Sequence, residues 1–298
     1  VVDPGGIAQW TVTLPAKPPA DPAATGSAAV EEEATLNIQL FELEPALIID
    51  LMPQLSEVVR WEGPVSGTVT TKFSLLSLPN SVYFALRVKE GRLRLPLTGG
   101  DLVFRSAQAS GNLRLKERAL VLDELNVAHA TGIARLRGQG MLHDSGAAQV
   151  QLAASGLNLS WLSNLIPGAS ALAGADLSVA ADIDASVMPD GSIGEATVRA
   201  ETDRGLLTLP GFLPEPLWIG NSRLDLKIDD EGRRFALRNL HVALPTEAAE
   251  RVVGVDVSGA AVRGGDGALT ILTGGLDEFD LKRLWPIGLG EGARVWVM

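Results

Sequence analysis

The chain contains no cysteine among its 298 residues. That removes disulfides, thiolate catalysis and cysteine-based zinc sites together, and it permits an oxidising compartment such as the periplasm without pointing to one. Aromatic residues make up only 5% of the chain, so deep aromatic-lined pockets are not expected; the apolar fraction of 46% rests instead on Leu, Val, Ile and Ala, which suit long regular surfaces. Clustered positive charge is also lacking. Lys and Arg number 25 against 36 Asp and Glu, a formal net charge of −11, and phosphate contacts need grouped cations, so no nucleic-acid partner is expected. Arg87, Arg92, Arg94, Arg105 and Arg114 are scattered along alternating segments and read as a solvated strand face. No window approaches the roughly 18 consecutive apolar residues of a membrane-spanning helix; the most apolar short run, 46–49, stops at Asp50.

Catalytic patterns are missing too. His129, His143 and His241 have no second histidine or carboxylate at metal-ligand spacing, and they read as solvated strand-end residues. The acidic runs 31–33 and 229–231 lie in linker or turn sequence without the spacing of a calcium loop. The glycines at 264–267 do not precede a helix carrying Lys-Ser/Thr, and no Gly-x-Ser-x-Gly elbow occurs. The expectation is a protein that is not an enzyme, with no cofactor and no metal.

What the chain does contain is a repeat. Leu43, Ile48, Leu51 and Pro53 are matched in spacing by Leu157, Leu162, Leu165 and Pro167, and again by Leu276, Leu281, Leu284 and Pro286, at offsets of 114 and 119 residues. Gly91-Arg-Leu93-Arg-Leu95-Pro96 recurs as Gly205-Leu-Leu207-Thr-Leu209-Pro210, 114 residues on. Leu122-x-x-Leu125-x-Val127-Ala128 recurs as Leu237-x-x-Leu240-x-Val242-Ala243, 115 residues on. Several pieces in one order at nearly one offset define units at 34–148 and 149–266 and the start of a third at 267–298. Residues 1–33 read as the end of a preceding unit. Within them 15–33, rich in Pro, Ala and Glu, reads as a flexible insertion in a hairpin loop, where later units place short turns at 144–146 and 264–267.

Inside a unit the period is two. Leu36, Ile38 and Leu40 alternate with Asn37 and Gln39; Val82, Phe84, Leu86 and Val88 with Tyr83, Ala85 and Arg87; Leu177, Val179, Ala181 and Ile183 with Ser178, Ala180 and Asp182; and Leu224, Leu226 and Ile228 with Asp225 and Lys227. Strands apolar on one side only belong to an antiparallel sheet wet on the other. Gly- and Asp-rich turns separate them at 98–101, 144–146, 189–191, 229–232 and 264–267. Leu162 and Leu165, or Leu281 and Leu284, are three apart and precede a proline, which predicts one short helix per unit at a sheet edge. An apolar face of this kind has two outcomes. It closes on a second sheet as a dry core, or the sheet curls into an open trough that accepts an apolar guest.

The closing segment, with Leu284, Trp285 and Pro286 followed by Ala293, Arg294, Trp296 and Val297, resembles a stretch typical of the AsmA-like proteins of Gram-negative bacteria, particularly the YhdP-like branch. The Gly-x-Leu-x-Leu-Pro and Leu-x-x-Leu-x-Val segments also look like that family. The resemblance implies a mainly β, tandem-repeat protein whose curved antiparallel sheet forms a taco-like groove, with one short helix per unit of about 115 residues. It implies a periplasmic body tethered to the inner membrane by an anchor outside this fragment, moving phospholipid between inner and outer membranes. The groove would hold acyl chains, and envelope proteins are possible partners. Its expected lining is Leu36, Ile38, Leu40, Val69, Phe84, Leu86, Leu93, Leu95, Leu113, Leu115, Leu122, Leu152, Leu177, Val179, Ile183, Leu207, Leu209, Leu224, Leu226, Ile228 and Leu237. Val179 and Leu226 are the inward positions of choice for a test, and Arg223 the outward control. The alternative is a structural scaffold, or an assembly factor for outer-membrane proteins, with a closed dry β core.

Overall fold

An isolated strand with apolar residues at every second position leaves one face unsatisfied, and aligning many such strands in register gathers those faces on one side. The chain does this on a large scale. The computed structural model describes residues 6–14, 33–44, 60–74, 79–94, 101–163, 173–190, 192–208, 216–229, 233–245, 252–263 and 269–277. The first strands are β1 (Ile7–Thr13), β2 (Glu33–Leu43), β3 (Arg60–Glu62), β4 (Val65–Ser74), β5 (Ser81–Val88), β6 (Gly91–Arg94) and β7 (Asp101–Phe104). They are followed by β8 (Ser106–Arg114), β9 (Ala119–His129), β10 (Gly132–Leu142), β11 (Ala148–Asn158) and a short helix α1 (Leu159–Leu162). The remainder are β12 (Ser178–Val187), β13 (Ile193–Thr202), β14 (Gly205–Leu207), β15 (Leu217–Ile219), β16 (Ser222–Asp229), β17 (Arg234–Pro245), β18 (Val252–Arg263) and β19 (Leu269–Asp277).

The protein is mainly β, as its alternation predicts. One 14-stranded sheet runs β1-β2-β4-β5-β8-β9-β10-β11-β12-β13-β16-β17-β18-β19, antiparallel between all neighbours. Two small sheets, β3-β6-β7 and β14-β15, stand off it. Gly91–Arg94 and Gly205–Leu207, the described parts of the Gly-x-Leu-x-Leu-Pro segments, therefore belong to these side sheets rather than to the large one. The connection across 14–32 joins the adjacent antiparallel strands β1 and β2, in which Thr13 pairs with Thr35; 15–32 themselves lie outside the described residues. Residues 143–147 close β10 to β11 through a turn in which the His143 amide donates to Ala147 O at 2.8 Å and Gly146 takes φ +82°. At 188–192 the Met188 amide donates to Ser192 O at 2.8 Å, and the Asp190 carboxylate accepts from the Ser192 hydroxyl and amide. Those two bonds hold the Asp190 carboxyl below the usual range.

The recurring Leu-x-x-Leu spacing is a β-bulge. Ser110 pairs with Glu124 and Gly111 with Leu122, so Asp123 is an extra residue, and Leu122 and Leu125 return to the same face. Arg238 is the extra residue at the corresponding place in β17, between Leu237 and Leu240. A second bulge separates Leu40 from Leu43 in β2 and Ala154 from Leu157 in β11. Its left-handed residues are Glu42 at φ +49° and Gly156 at φ +67°. A Cβ on Gly156 would lie 2.3 Å from Ile133 O. Gly156→Ala is expected to cost about 1–3 kcal/mol, read as a lower urea midpoint. Glu42→Gly relieves the same strain, and its midpoint is expected to hold or rise.

The helix prediction is met in one place among the described residues. Asn158 caps α1 by accepting from the Ser160 amide at 2.9 Å. Leu157 lies in the preceding strand, and α1 ends at Leu162; Leu165 and Pro167 lie outside the described residues. Leu43 and Leu276 likewise belong to strands, and the rest of their segments, to Pro53 and Pro286, lies outside them.

The off-sheet elements collect along one margin of the large sheet, where β7 packs on β9, α1 on β11 and β15 on β17. There Val65, Val88, Phe104, Val127 and Ala134 form a buried cluster with Leu86, Leu125, Leu136, Leu157 and Trp161 against it. Ala175, Leu177 and Ile219 form a second, flanked by Leu159, Leu207, Leu217 and Val242. The opposite margin carries the turns at 115–118, 143–147 and 188–192 and has exposed Leu113, Leu115, Leu120, Met141, Leu142, Met188 and Ile193.

Candidate functional site

Register makes the apolar face continuous. One row crosses the sheet as Trp10, Ile38, Val69, Phe84, Gly111, Leu122, Gly138, Leu152, Ile183, Val198, Leu226 and Leu237. The next runs Ala8, Leu40, Gly67, Leu86, Ala109, Leu125, Leu136, Ala154, Ala181, Ala200, Leu224 and Leu240 in the same order. A third holds Val12, Leu36, Thr71, Val82, Leu113, Leu120, Gly140, Val150, Ala185, Ala196, Ile228 and Phe235. No charged residue stands in any of these rows. Buried residues are concentrated at the lidded margin, and the large side chains of the middle rows are mostly half-buried.

Most of the expected lining residues share this face: Leu36, Ile38, Leu40, Val69, Phe84, Leu86, Leu113, Leu122, Leu152, Val179, Ile183, Leu224, Leu226, Ile228 and Leu237. Six do not join it. Leu93 on β6 and Leu207 on β14 are in the side sheets; Leu177 precedes β12 and is buried in the second cluster; Leu115 is exposed in a turn. Leu95 and Leu209 lie outside the described residues, as do Leu284, Trp285, Pro286, Ala293, Arg294, Trp296 and Val297. Val179 is on the face but only 7% exposed, at its lidded end beside Leu157 and Thr202, so it presents almost no surface to a guest. Residues that alternation alone missed include Ala109, Leu125, Leu136 and Leu240. The signal for Leu125 and Leu240 was the Leu-x-x-Leu spacing itself, which marks the bulge.

The opposite face is polar. Gln139 donates to Gln151 at 2.8 Å, Gln151 to Asp184 at 3.3 Å, and Gln149 also donates to Asp184. Open depressions of about 680 and 700 Å³ lie there between long side chains, both bordered by Asp123, Arg137, Asp182 and Arg199. Their charges alternate in sign and cancel locally. The exposed ion pair Arg223–Glu201 at 3.2 Å is solvated and contributes little, while Lys227–Asp229 at 2.7 Å is half-buried.

The histidines need a correction. His129 is not solvated: it is 3% exposed and stacks on Trp161, with ring centroids 4.5 Å apart and planes 14° from parallel. Burial pushes its pKa below the ordinary imidazole range, partly opposed by the Gly156 backbone. His241 is half-buried and pairs with Asp256 at 2.9 Å. His143 is exposed in its turn. Among the described residues, no three His, Asp or Glu side chains converge as a metal site, and no helix is long and apolar enough to cross a membrane. Comparison with family models, curated proteins and solved structures finds no match for this chain.

Proposed function

We propose that this chain is a segment of a periplasmic, lipid-conducting β-groove that moves phospholipid between inner and outer membranes, in a protein tethered to the inner membrane by an anchor outside the segment. The observation that carries this reading is the apolar face itself. It crosses strand after strand without a charge, and among the described residues its covering elements pack chiefly at one margin. At a strand spacing of about 4.8 Å, fourteen strands extend over roughly 60 Å, and strands of eight to twelve residues give an acyl chain room to lie along them.

Three glycines on that face support a curl toward it. A Cβ on Gly67, Gly111 or Gly138 would lie 2.1, 2.3 or 2.2 Å from a carbonyl oxygen of the next strand. Such close approach on one side is how glycine kinks and bulges bend a sheet. The tandem-repeat reading is supported by the order of elements: β4, β5, a side hairpin β6–β7, β8 and β9 are followed at nearly one offset by β12, β13, β14–β15, β16 and β17. The bulges recur with them. The likeness to AsmA-like proteins supplies the compartment and the cargo. Binding and guiding an apolar guest needs no catalytic group and no cofactor.

The alternative is a structural scaffold, or an assembly factor for outer-membrane proteins, with a closed dry β core. The two readings separate on one experiment. The chain purified from bacterial cells is expected to carry phospholipid by native mass spectrometry and extraction, and Ile183→Asp with Leu226→Asp to reduce it at least tenfold. Photo-cross-linkers at Val198 and Leu226 should capture lipid in cells well above one at outward Arg223. A lipid-free wild type, with no difference between these positions, would sink the groove.

A further inference from the structure

Two features at the lidded margin are independent of any cargo. His129, at the end of β9, is buried against the stacked ring of Trp161 on α1. Trp161 in turn donates from Nε1 to Val103 O on β7 at 3.3 Å. One stacked pair thus ties together the end of β9, the helix that follows β11, and the β6–β7 hairpin.

The hydrogen bonds around His129 select one protonation state. Its Nδ1 accepts from the Thr131 amide at 3.3 Å, with Thr131 Oγ1 at 3.0 Å, so Nδ1 carries no proton and the neutral ring holds its hydrogen on Nε2. Nε2 is buried and has no hydrogen-bond partner. An imidazolium in this place would set a second N–H, on Nδ1, against the Thr131 amide N–H. No charge is at hand to stabilise it. Charged residues on the surrounding elements, Arg87 and Lys89 around the end of β5, Arg105 after β7, Glu124 on β9, Arg135 on β10 and Asp176 ahead of β12, are all exposed; β11 and α1 carry none. Burial alone dominates the depression of its proton affinity.

We propose that His129 and Trp161 form a proton-sensitive latch, in which protonation of the imidazole releases α1 from the sheet margin and lengthens the uncovered apolar face by Val127, Ala134 and Leu157. The sign follows from linkage. The closed state holds the neutral ring, so it binds fewer protons than the open state; it is favoured above the ordinary histidine value of 6.5 and loses ground as pH falls below it. The closed-to-open ratio drops by at most about tenfold per pH unit in that window.

Because the chain has no cysteine, Val103→Cys with Leu162→Cys gives a unique spin-label pair across the latch. Pulsed dipolar spectroscopy is expected to show one short distance at pH 7.5 and a second, longer population by pH 5.5. His129→Phe, which stacks but cannot be protonated, should keep the short distance at both. A distance distribution unmoved by pH, or one that moves equally in His129→Phe, overturns the proposal. Should His129→Phe fail to fold, the imidazole C–H resonances of the wild type decide the matter. His129 must titrate below the ordinary imidazole value of 6.5; a value at or above it overturns the latch.

Discussion

Gly138→Ala lowers the urea midpoint of unfolding, whereas Gly140→Ala, two residues along the same strand and on the same face, leaves it unchanged or raises it. The contrast rests on what each added methyl meets. At Gly138 a Cβ lies 2.2 Å from Gln151 O and 3.0 Å from Leu152 Cα, both main-chain atoms of the neighbouring strand that no rotamer change can move. At Gly140 the nearest atoms are 3.8 and 4.0 Å away, ordinary contact. Forcing β10 and β11 apart is expected to cost about 1–3 kcal/mol. The Gly140 change gains a few tenths of a kcal/mol to about 1 kcal/mol, from the lower freedom of the unfolded chain. Equal midpoints for the two variants would mean that the sheet does not bend at β10, and the curl toward the apolar side would lose its best-placed support.

The same glycines show what a sequence conveys and what it withholds. Period-two alternation in 36–40, 82–88 and 224–228 was enough to read strands and to place Ile38, Phe84 and Leu226 on one face, because side-chain direction in a strand is fixed by the backbone. It could not assign strands to sheets. Gly91-Arg-Leu93-Arg-Leu95 alternates as well as any strand of the large sheet, yet β6 pairs with β3 and β7. Alternation also breaks at a bulge, so Leu125 and Leu240 fall out of phase with Leu122 and Leu237 although all four share a face. His129 was misread for another reason: its burial is imposed by Trp161 and the β7 lid, partners that only tertiary packing brings to it. Glycine is the least legible of all, since Gly138 and Gly140 are identical in sequence terms and differ only in how near the next strand passes.

Truncating Phe104 should be far more costly than truncating Leu226, and the size of the gap reports whether the apolar face is open. Phe104 is 6% exposed in the cluster with Val65, Val88, Val127 and Ala134, and its ring lies across Gly91. Phe104→Ala leaves a cavity that the surrounding strands cannot fill, at about 3–5 kcal/mol. Leu226 sits between Val198 and Leu237 in the middle of the face and is only half-buried, by its own neighbours in the row. On an uncovered face Leu226→Ala forfeits part of one side chain's burial, about 1 kcal/mol. Under a second layer the same change would create a true cavity, at about 2–5 kcal/mol. Urea unfolding of lipid-stripped protein distinguishes the cases: a large loss at Phe104 with a small one at Leu226 fits a face lidded at one margin, and comparable losses would mean a closed dry core. The wild type with lipid restored adds a second reading. A guest on the face stabilises the folded chain by mass action, so the Leu226→Ala deficit should widen in its presence while the Phe104→Ala deficit does not.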